Sequence, residues 1–224
     1  LRESEQKFRT LAEQSPGMIF INQRGRIVYA NKRCEEVMGY KRKEFYTPEF
    51  DFLSLIAPKD REMIQENFAR HALGKEVKPY EYCIITKDGR QIEAMINTKL
   101  IDYAGDKAIL GIVTDISALK QAEGRLIKIN ECFVNFGPDP AENINRLTAL
   151  CGEVLNATCA LYNRLDGGLL CSLGKWNTPP DYNPIDRPEG HICYDVIQQK
   201  TDEACVVRNL PETPYAQTDP NVIP

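Results

Sequence analysis

The sequence predicts an α+β protein with two domains. Its 224 residues exceed the size of an average single domain. In the first half, two short apolar runs precede helical segments and three longer alternating runs, an order typical of a five-stranded antiparallel sheet with helices on one face. In the second half, a helical segment precedes a hairpin, another helix and another apolar run. We therefore expect a sheet-and-helix domain, a helical connection and a smaller α+β domain.

The composition is that of an ordinary folded chain. Hydrophobic residues make up 42% of it, charged residues make up 27%, and the net charge is −4. Lys and Arg are scattered, so we expect no nucleic-acid partner. No apolar run reaches the ~20 residues that cross a bilayer, and the N-terminal LRESEQKFRT is charged where a signal peptide is apolar. We expect a cytoplasmic chain with no membrane segment in this stretch, and the start at Leu1 instead of Met suggests a piece of a longer protein.

The first predicted elements are a helix, a hairpin and a short helix. The first helix covers residues 3–14 and is stopped by Ser15-Pro16-Gly17. Two short runs, 18–22 and 26–30, then flank a turn in which Gly25 can adopt a positive φ. Asn31 can cap the next helix, and Gly39 can close it.

A longer helix and three strands complete the first half. Pro58 opens the helix, with Asp60 as its N-cap. Asp88-Gly89 predicts a two-residue hairpin turn between the first two strands. Alternate residues share one face over 92–100 in the second strand and over 108–116 in the third.

Four sequence motifs in this half occur in a characteristic order: GRIVYANKRCEEVMGY, IAPKDREMI, TKDGRQIEAMIN and GIVTDIS. On the basis of these motifs, residues 1–123 resemble a PAS domain. The resemblance implies a five-stranded antiparallel PAS sheet with helices on one face, and a role in sensing, signalling or dimerisation. It names no ligand, so the cofactor stays unknown.

Two residues bear on known PAS cofactors. Cys34 does not stand in the Asn-Cys-Arg-Phe-Leu-Gln word of the flavin-binding members, so we expect no flavin photosensor. His71 lies in the last turn of the long helix, where the resemblance allows a haem ligand. The helix dipole favours a solvated or capping His at the same place.

The strand that ends in GIVTDIS runs directly into a charged, helix-prone segment. By resemblance to the Asp-Ile-Thr motif of PAS sensors, we expect Asp115, Ile116 and Ser117 to form a signal junction, in which the Asp ties the strand to the outgoing helix. Apolar residues then follow an a/d heptad register: Leu119, Ala122, Leu126, Ile129, Phe133 and Phe136. This register predicts the seam of a parallel homodimer. The alternative is a single amphipathic helix that covers one domain's core.

The second half begins with a helix that Asp139 caps and Pro140 opens. Its predicted apolar face is Ile144, Leu147, Leu150, Cys151 and Val154. ATCALYNR and LLCSLGKW then form a hairpin, HICYDVIQQ a helix and EACVVRNL a strand. The words INRLTALCGEVLNATCALYNRLDG and EGHICYDVIQQ resemble the first two-thirds of a GAF domain. That resemblance implies an incomplete sheet and a natural protein that continues to an output domain.

Eight cysteines occur, and none stands in a Cys-x-x-Cys pair, so we expect no metal site of that type. Five of them lie between residues 151 and 205, close to His191. Either these thiols are buried and unreactive, or the second domain binds haem or senses redox state through His191, Cys171 and Cys193. In a helix, His191 and Cys193 would point about 200° apart and could not ligate one metal together.

The predicted organisation is an N-terminal helix (1–16), a PAS domain (17–117), a helical coiled-coil linker (118–136) and a partial GAF-like domain (137–224). We expect no catalytic residues, because the sequence has no phosphoacceptor word and no P-loop, and its two histidines fall in different domains.

We expect a homodimeric sensory input module, as in bacterial and archaeal sensor histidine kinases, that senses a small ligand or redox state. Its partner would be a downstream kinase or another effector domain. The alternative is a dimerisation or scaffold module with empty pockets, and an absorption spectrum would distinguish a haem sensor from it.

Overall fold

The computed structural model describes residues 2–200 and 203–219, which form two compact units divided after Glu123. The elements of the first unit are, in chain order, α1 (Arg2–Gln14), β1 (Met18–Gln23), β2 (Arg26–Ala30), α2 (Lys32–Met38), α3 (Arg42–Phe45), α4 (Arg61–Ala72), β3 (Tyr80–Ile85), β4 (Gln91–Tyr103) and β5 (Asp106–Asp115). Helix α5 (Ser117–Val134) follows β5 after one residue, and the division between the units falls within it.

The first unit is built on a five-stranded sheet in the order β2-β1-β5-β4-β3. Every pair of neighbouring strands is antiparallel, as the sequence predicted. The first and last strands lie side by side, with Met18 opposite Val113. Side chains from α2, α3 and α4 pack with strand residues in one hydrophobic core that includes Met38, Phe45 and Ile64.

The β1–β2 and β3–β4 hairpins of the first unit differ in turn type. Arg24 (φ 53°) and Gly25 (φ 81°) both have a positive φ, so β1 and β2 are joined by a two-residue turn that suits the twist of the strands. The turn predicted at Asp88-Gly89 is one residue longer. Thr86 donates to the Arg90 carbonyl across a three-residue loop, and only Gly89 has a positive φ. This is the loop of a type I turn followed by a left-handed glycine.

One predicted detail of the first unit is corrected. Asp60 does not cap α4 with its side chain; its Oδ2 accepts from the backbone N–H of Cys83 at 2.8 Å, which ties the start of the helix to β3.

The sequence pattern left open which face of β5 is buried. In the structure the buried residues of β5 include Ile109, Gly111 and Val113, whereas Ile112 is exposed.

The second unit contains α6 (Pro140–Val154), β6 (Ala160–Asp166), β7 (Leu169–Trp176), β8 (Ile185–Asp186), α7 (Ile192–Gln199) and α8 (Tyr215–Thr218). Its antiparallel sheet has the order β6-β7-β8. Helix α6 begins as predicted, with Asp139 Oδ1 accepting from the Ala141 N–H. The strand predicted from EACVVRNL is wrong, because residues 203–209 form no strand; residues 220–224 lie outside the described part.

The buried face of α6 also differs from the predicted one. Gly152 lies against the ring of Trp176, and Thr148 lies against Gly174, so the smallest residues let the helix approach β7 closely. Cys151, which was predicted on the apolar face, is exposed. The hydrophobic pattern predicted contacts through the larger side chains of α6, whereas close contacts with β7 are made at the small residues Thr148 and Gly152.

Candidate functional site

The core of the first unit contains a partly open cavity of about 70 Å³. All five strands and helices α2, α3 and α4 contribute side chains to its wall. Protein cores are close-packed, and voids larger than a water molecule are few in any domain. The cavity is therefore a candidate ligand site; the sequence led us to expect ligand sensing but did not indicate which residues form the wall.

The wall of this cavity is apolar apart from Asn22, Cys34 and Tyr82, and within the described residues no charged side chain lines it. Burial raises the pKa of the Cys34 thiol to about 12. Burial likewise raises the pKa of Tyr82 above its ordinary value. Both groups are neutral at physiological pH, so the cavity presents no ionised wall to a ligand.

Asn22 is buried at the end of β1, and the two halves of its amide have different surroundings. Its Oδ1 accepts from the backbone N–H of Gly25 at 3.0 Å and so closes the hairpin turn. Across the part of the chain that the structure describes, its Nδ2 has no hydrogen-bond partner. A buried donor without an acceptor is uncommon in folded proteins.

Asn31 fixes the entrance of the chain into the sheet. Its Nδ2 donates to the carbonyls of Ala12 (2.8 Å) and Gly17 (2.9 Å), and its Oδ1 accepts from the N–H groups of Ile19 (3.0 Å) and Cys34 (3.1 Å). The side chain is fully buried. It therefore caps α2, as predicted, and at the same time holds the end of α1 and the start of β1, which the sequence did not indicate.

His71 is neither a solvated residue nor a member of the cavity wall. It is 3% exposed, and its Nε2 lies 2.7 Å from Thr98 Oγ1 on β4. Burial, with a smaller contribution from the charge of Lys99, lowers the pKa of His71. The expectation of a solvated or capping His is wrong, because the last turn of α4 packs this side chain against the sheet.

The three junction residues lie where β5 meets α5. Asp115 Oδ1 accepts from the Ser117 N–H at 2.9 Å, and Ile116 is buried. The Ile116 N–H donates to the carbonyl of Glu93 at 2.8 Å, and the Glu93 N–H donates to Ser117 Oγ at 3.2 Å. Glu93 of β4 therefore bonds both Ile116 and Ser117, through its carbonyl and its N–H. Only Ile116 lies between the end of β5 and the start of α5.

A second contact holds the first turn of α5 to the sheet. Lys120 Nζ lies 2.7 Å from Glu81 Oε2 on β3. Both side chains are well exposed, so this ion pair adds little to stability by itself. It is a direct contact between the first turn of α5 and β3.

The predicted seam residues form an exposed stripe along α5. Leu119, Leu126 and Phe133 are each more than half exposed, and Ile129 is half-buried. The helix ends at Val134, so Phe136 lies beyond it and its ring packs on that of Phe133 at 5.3 Å. The linker predicted to be helical through residue 136 is therefore two residues shorter.

The second unit brings together two of its three predicted site residues. His191 and Cys193 line one small polar pocket with Asn163, Ser172 and Asp219, whereas Cys171 is not among the residues that line it. His191 precedes α7 with an extended backbone (φ −82°, ψ 136°), so the angle expected for two residues of one helix does not apply. Cys193 Sγ accepts from Asn163 Nδ2 at 3.0 Å.

The surroundings of His191 do not fit an iron ligand. Its Nδ1 lies 3.3 Å from Asp219 Oδ1, and its Nε2 lies 3.7 Å from Asp186 Oδ2. Both ring nitrogens therefore face carboxylate oxygens. Within the described ranges, no group of three His, Cys, Asp or Glu side chains is placed to hold a metal ion.

The cysteines are less buried than the sequence suggested. Cys34 and Cys83 lie in the core of the first unit, but Cys151, Cys159 and Cys205 are exposed. The expectation of buried thiols is therefore wrong for these three cysteines.

The helices that the structure describes include none long and apolar enough to cross a membrane.

A family model of the PAS domain matches residues 15–118. Among solved structures, a PAS domain of an HTR-like protein from Haloarcula marismortui is 23% identical; the match covers 51% of this chain and 93% of that one, with a TM-score of 0.44. A domain of a sensory box sensor histidine kinase/response regulator from Geobacter sulfurreducens is 27% identical, with 50% and 94% covered and a TM-score of 0.43.

Two curated proteins are also similar to part of this chain. A methyl sulfide methyltransferase-associated sensor from Methanosarcina acetivorans is 27% identical over 126 residues, and the hybrid signal transduction protein dokA from Dictyostelium discoideum is 25% identical over 120 residues. The matches cover 55% and 54% of this chain but only 12% and 7% of the two relatives.

Proposed function

We propose that this chain, whose residues 15–118 are a PAS domain, is a sensory input module that binds a small molecule inside that domain and relays the change to an effector domain. The observation that carries the proposal is the apolar cavity in the core. A small apolar molecule bound there would be removed from water and would pack against the side chains of the wall. Concave, mostly apolar sites with a few polar groups are the usual form of small-molecule sites in proteins.

The contacts at the junction support a way for a structural change at the cavity to reach α5. Val113 lines the cavity, and Asp115 is the last residue of the same strand. A ligand that displaces β5 would also displace Ser117 and the start of α5, because these residues are hydrogen-bonded to one another and to β4. We propose that Asp115, Ile116 and Ser117 transmit the change, and that it biases a pair of α5 helices between two arrangements.

The exposed stripe of Leu119, Leu126 and Phe133 supports a homodimer through α5. For the second unit, we propose a GAF-like domain; the order of α6, hairpin and α7 and the three-stranded sheet support it. The names of the curated relatives, a sensor and a hybrid signal transduction protein, favour an effector of the two-component type, such as a histidine kinase.

The test fills the cavity with a larger side chain and measures amide hydrogen exchange at the junction between β5 and α5. Ala30 is buried and lines the cavity, so Ala30→Met places a larger side chain in the void. Ala69→Met makes the same change at an exposed position of α4. In the full chain, we expect Ala30→Met to alter amide hydrogen exchange at residues 115–121 and Ala69→Met to leave it unchanged.

Two further results decide between a sensor and a scaffold. Combining Ala30→Met with Asp115→Ala should abolish the effect on α5, because Asp115 no longer holds the Ser117 N–H. If Ala30→Met leaves the exchange of α5 as in the wild type while the protein stays folded, the cavity is not coupled to the helix. A dimerisation or scaffold module would then be the better description.

A further inference from the structure

Asn22 has an unused hydrogen-bond donor in the wall of the first unit's cavity. Asn22 is 2% exposed and lines the cavity, and its Nδ2 lacks an acceptor among the residues described. The orientation of the amide is fixed, because its oxygen accepts from the Gly25 N–H. Its NH₂ group is therefore the polar group that Asn22 can offer to an occupant of the cavity.

The rest of the wall restricts the charge of that occupant. None of the wall residues within the described ranges carries a charge, and the two other polar side chains, Cys34 and Tyr82, are held neutral by burial. A carboxylate or an ammonium group would lose its hydration without gaining a counter-charge. An ionised ligand is thus disfavoured, whereas one neutral acceptor atom would be matched.

The volume restricts its size. A cavity of about 70 Å³ corresponds to roughly five to seven buried water molecules, if each requires about 10–15 Å³. That space suits a molecule of about five to seven non-hydrogen atoms. Haem and flavin are far larger than this.

We propose that the PAS cavity binds a small, uncharged, mostly apolar molecule whose single hydrogen-bond acceptor, such as a ketone or ether oxygen, is held by the amide NH₂ of Asn22. This proposal rests on the ligand-binding function proposed above and specifies the chemical class of the ligand. The apolar wall supplies most of the affinity, and Asn22 selects for the acceptor.

The test uses two probes of the same shape. Cyclohexanone carries the acceptor, and methylenecyclohexane replaces the oxygen with a CH₂ group. Dissociation constants are measured with the full chain by following the methyl NMR signals of Met18 and Ile64, which line the cavity. The ratio of the two constants in each variant is compared with the wild-type ratio, so differences in hydrophobicity between the probes cancel.

Asn22→Leu removes the donor, and Asn97→Leu makes the same change at an exposed position of β4. We expect Asn22→Leu to weaken cyclohexanone about five-fold relative to methylenecyclohexane, the value of one ordinary hydrogen bond. Asn97→Leu should leave the ratio unchanged. If Asn22→Leu does not fold, Asn22→Ala removes the same donor with a smaller apolar side chain, and the same loss in the ratio is expected.

The outcomes separate this inference from the proposed function. If both probes bind and the ratio does not depend on Asn22, the cavity is a ligand site without the proposed selectivity, and only the inference is overturned. If neither probe binds the wild-type protein, both the inference and the proposed function of the cavity as a ligand site are overturned.

Discussion

Phe20 and Gly111 lie opposite each other on the neighbouring strands β1 and β5, and the Phe20 ring occupies the space that a side chain at position 111 would need. A Cβ atom there would overlap the ring well inside van der Waals contact. Phe20 also lines the cavity. The glycine in GIVTDIS therefore sets the position of a ring that shapes the candidate ligand site.

Replacing Gly111 with Ala should reshape the cavity. The Phe20 ring must shift to relieve the overlap, and forced repacking of this kind costs about 1–3 kcal/mol of unfolding free energy. We expect a lower urea midpoint and a changed affinity for cyclohexanone. Gly124→Ala is the matched control, because Gly124 lies in α5 with open space around it and should gain up to about 1 kcal/mol. Equal stability of the two variants would contradict the packing described.

Asn31→Ala should loosen the entrance to the sheet. It removes four hydrogen bonds of a fully buried side chain and leaves the N–H groups of Ile19 and Cys34 without this acceptor. We expect a loss of roughly 2–4 kcal/mol of unfolding free energy and faster amide exchange at residues 12–19. The exposed Asn97→Ala is the control, with an expected change within about 0.5 kcal/mol. Unchanged exchange at the end of α1 would show that Asn31 does not hold it.

His71 should make the first unit sensitive to mild acid. Its pKa is lowered in the folded protein, so below its ordinary pKa of 6.5 the unfolded chain binds the proton more readily. The stability contribution is complete above pH 6.5 and is lost as the pH falls toward the lower folded pKa. We expect the unfolding free energy of the wild type to decrease over this interval more steeply than that of His71→Gln, whose amide can still bond Thr98. Parallel curves from about pH 5 to pH 8 would refute this account.

The stripe along α5 predicts which positions meet in a dimer. Leu126 is at an a position and 65% exposed, whereas Glu131 lies on the opposite face of the helix. With the native cysteines replaced by serine, Leu126→Cys should form an oxidised dimer much faster than Glu131→Cys. Equal rates, or a monomer by analytical ultracentrifugation at high concentration, would favour a single helix without a partner.

The sheet could be predicted because its signals are local. Alternating residues, turn-forming pairs such as Arg24-Gly25, and the cap at Asn31 each act within a few residues. The motifs that resemble those of a PAS domain supported the five-stranded antiparallel sheet, but the order of its strands was not predicted. Loop length was less certain, because Asp88-Gly89 suits both a two-residue turn and the longer loop that forms.

The candidate site could not be predicted because it depends on long-range packing. The cavity is a property of the space between many side chains, and the unpaired Nδ2 of Asn22 is recognised only when its neighbours are known. His71 was misread since its partner Thr98 is 27 residues away. His191 and Cys193 share a pocket because the chain enters α7 in an extended conformation, which the helical pattern did not reveal.

The pairing of Met18 with Val113 has a consequence for how such a chain can be assembled in evolution. The chain enters the sheet at Met18 and reaches Val113, directly opposite on the neighbouring strand, near its exit. The start and the end of the domain are therefore close together in space. A segment with this property can be inserted, duplicated or deleted between two flanking helices with little change in the gap they must bridge. Such a domain can therefore be gained or lost during evolution while the distance between the flanking helices stays nearly the same.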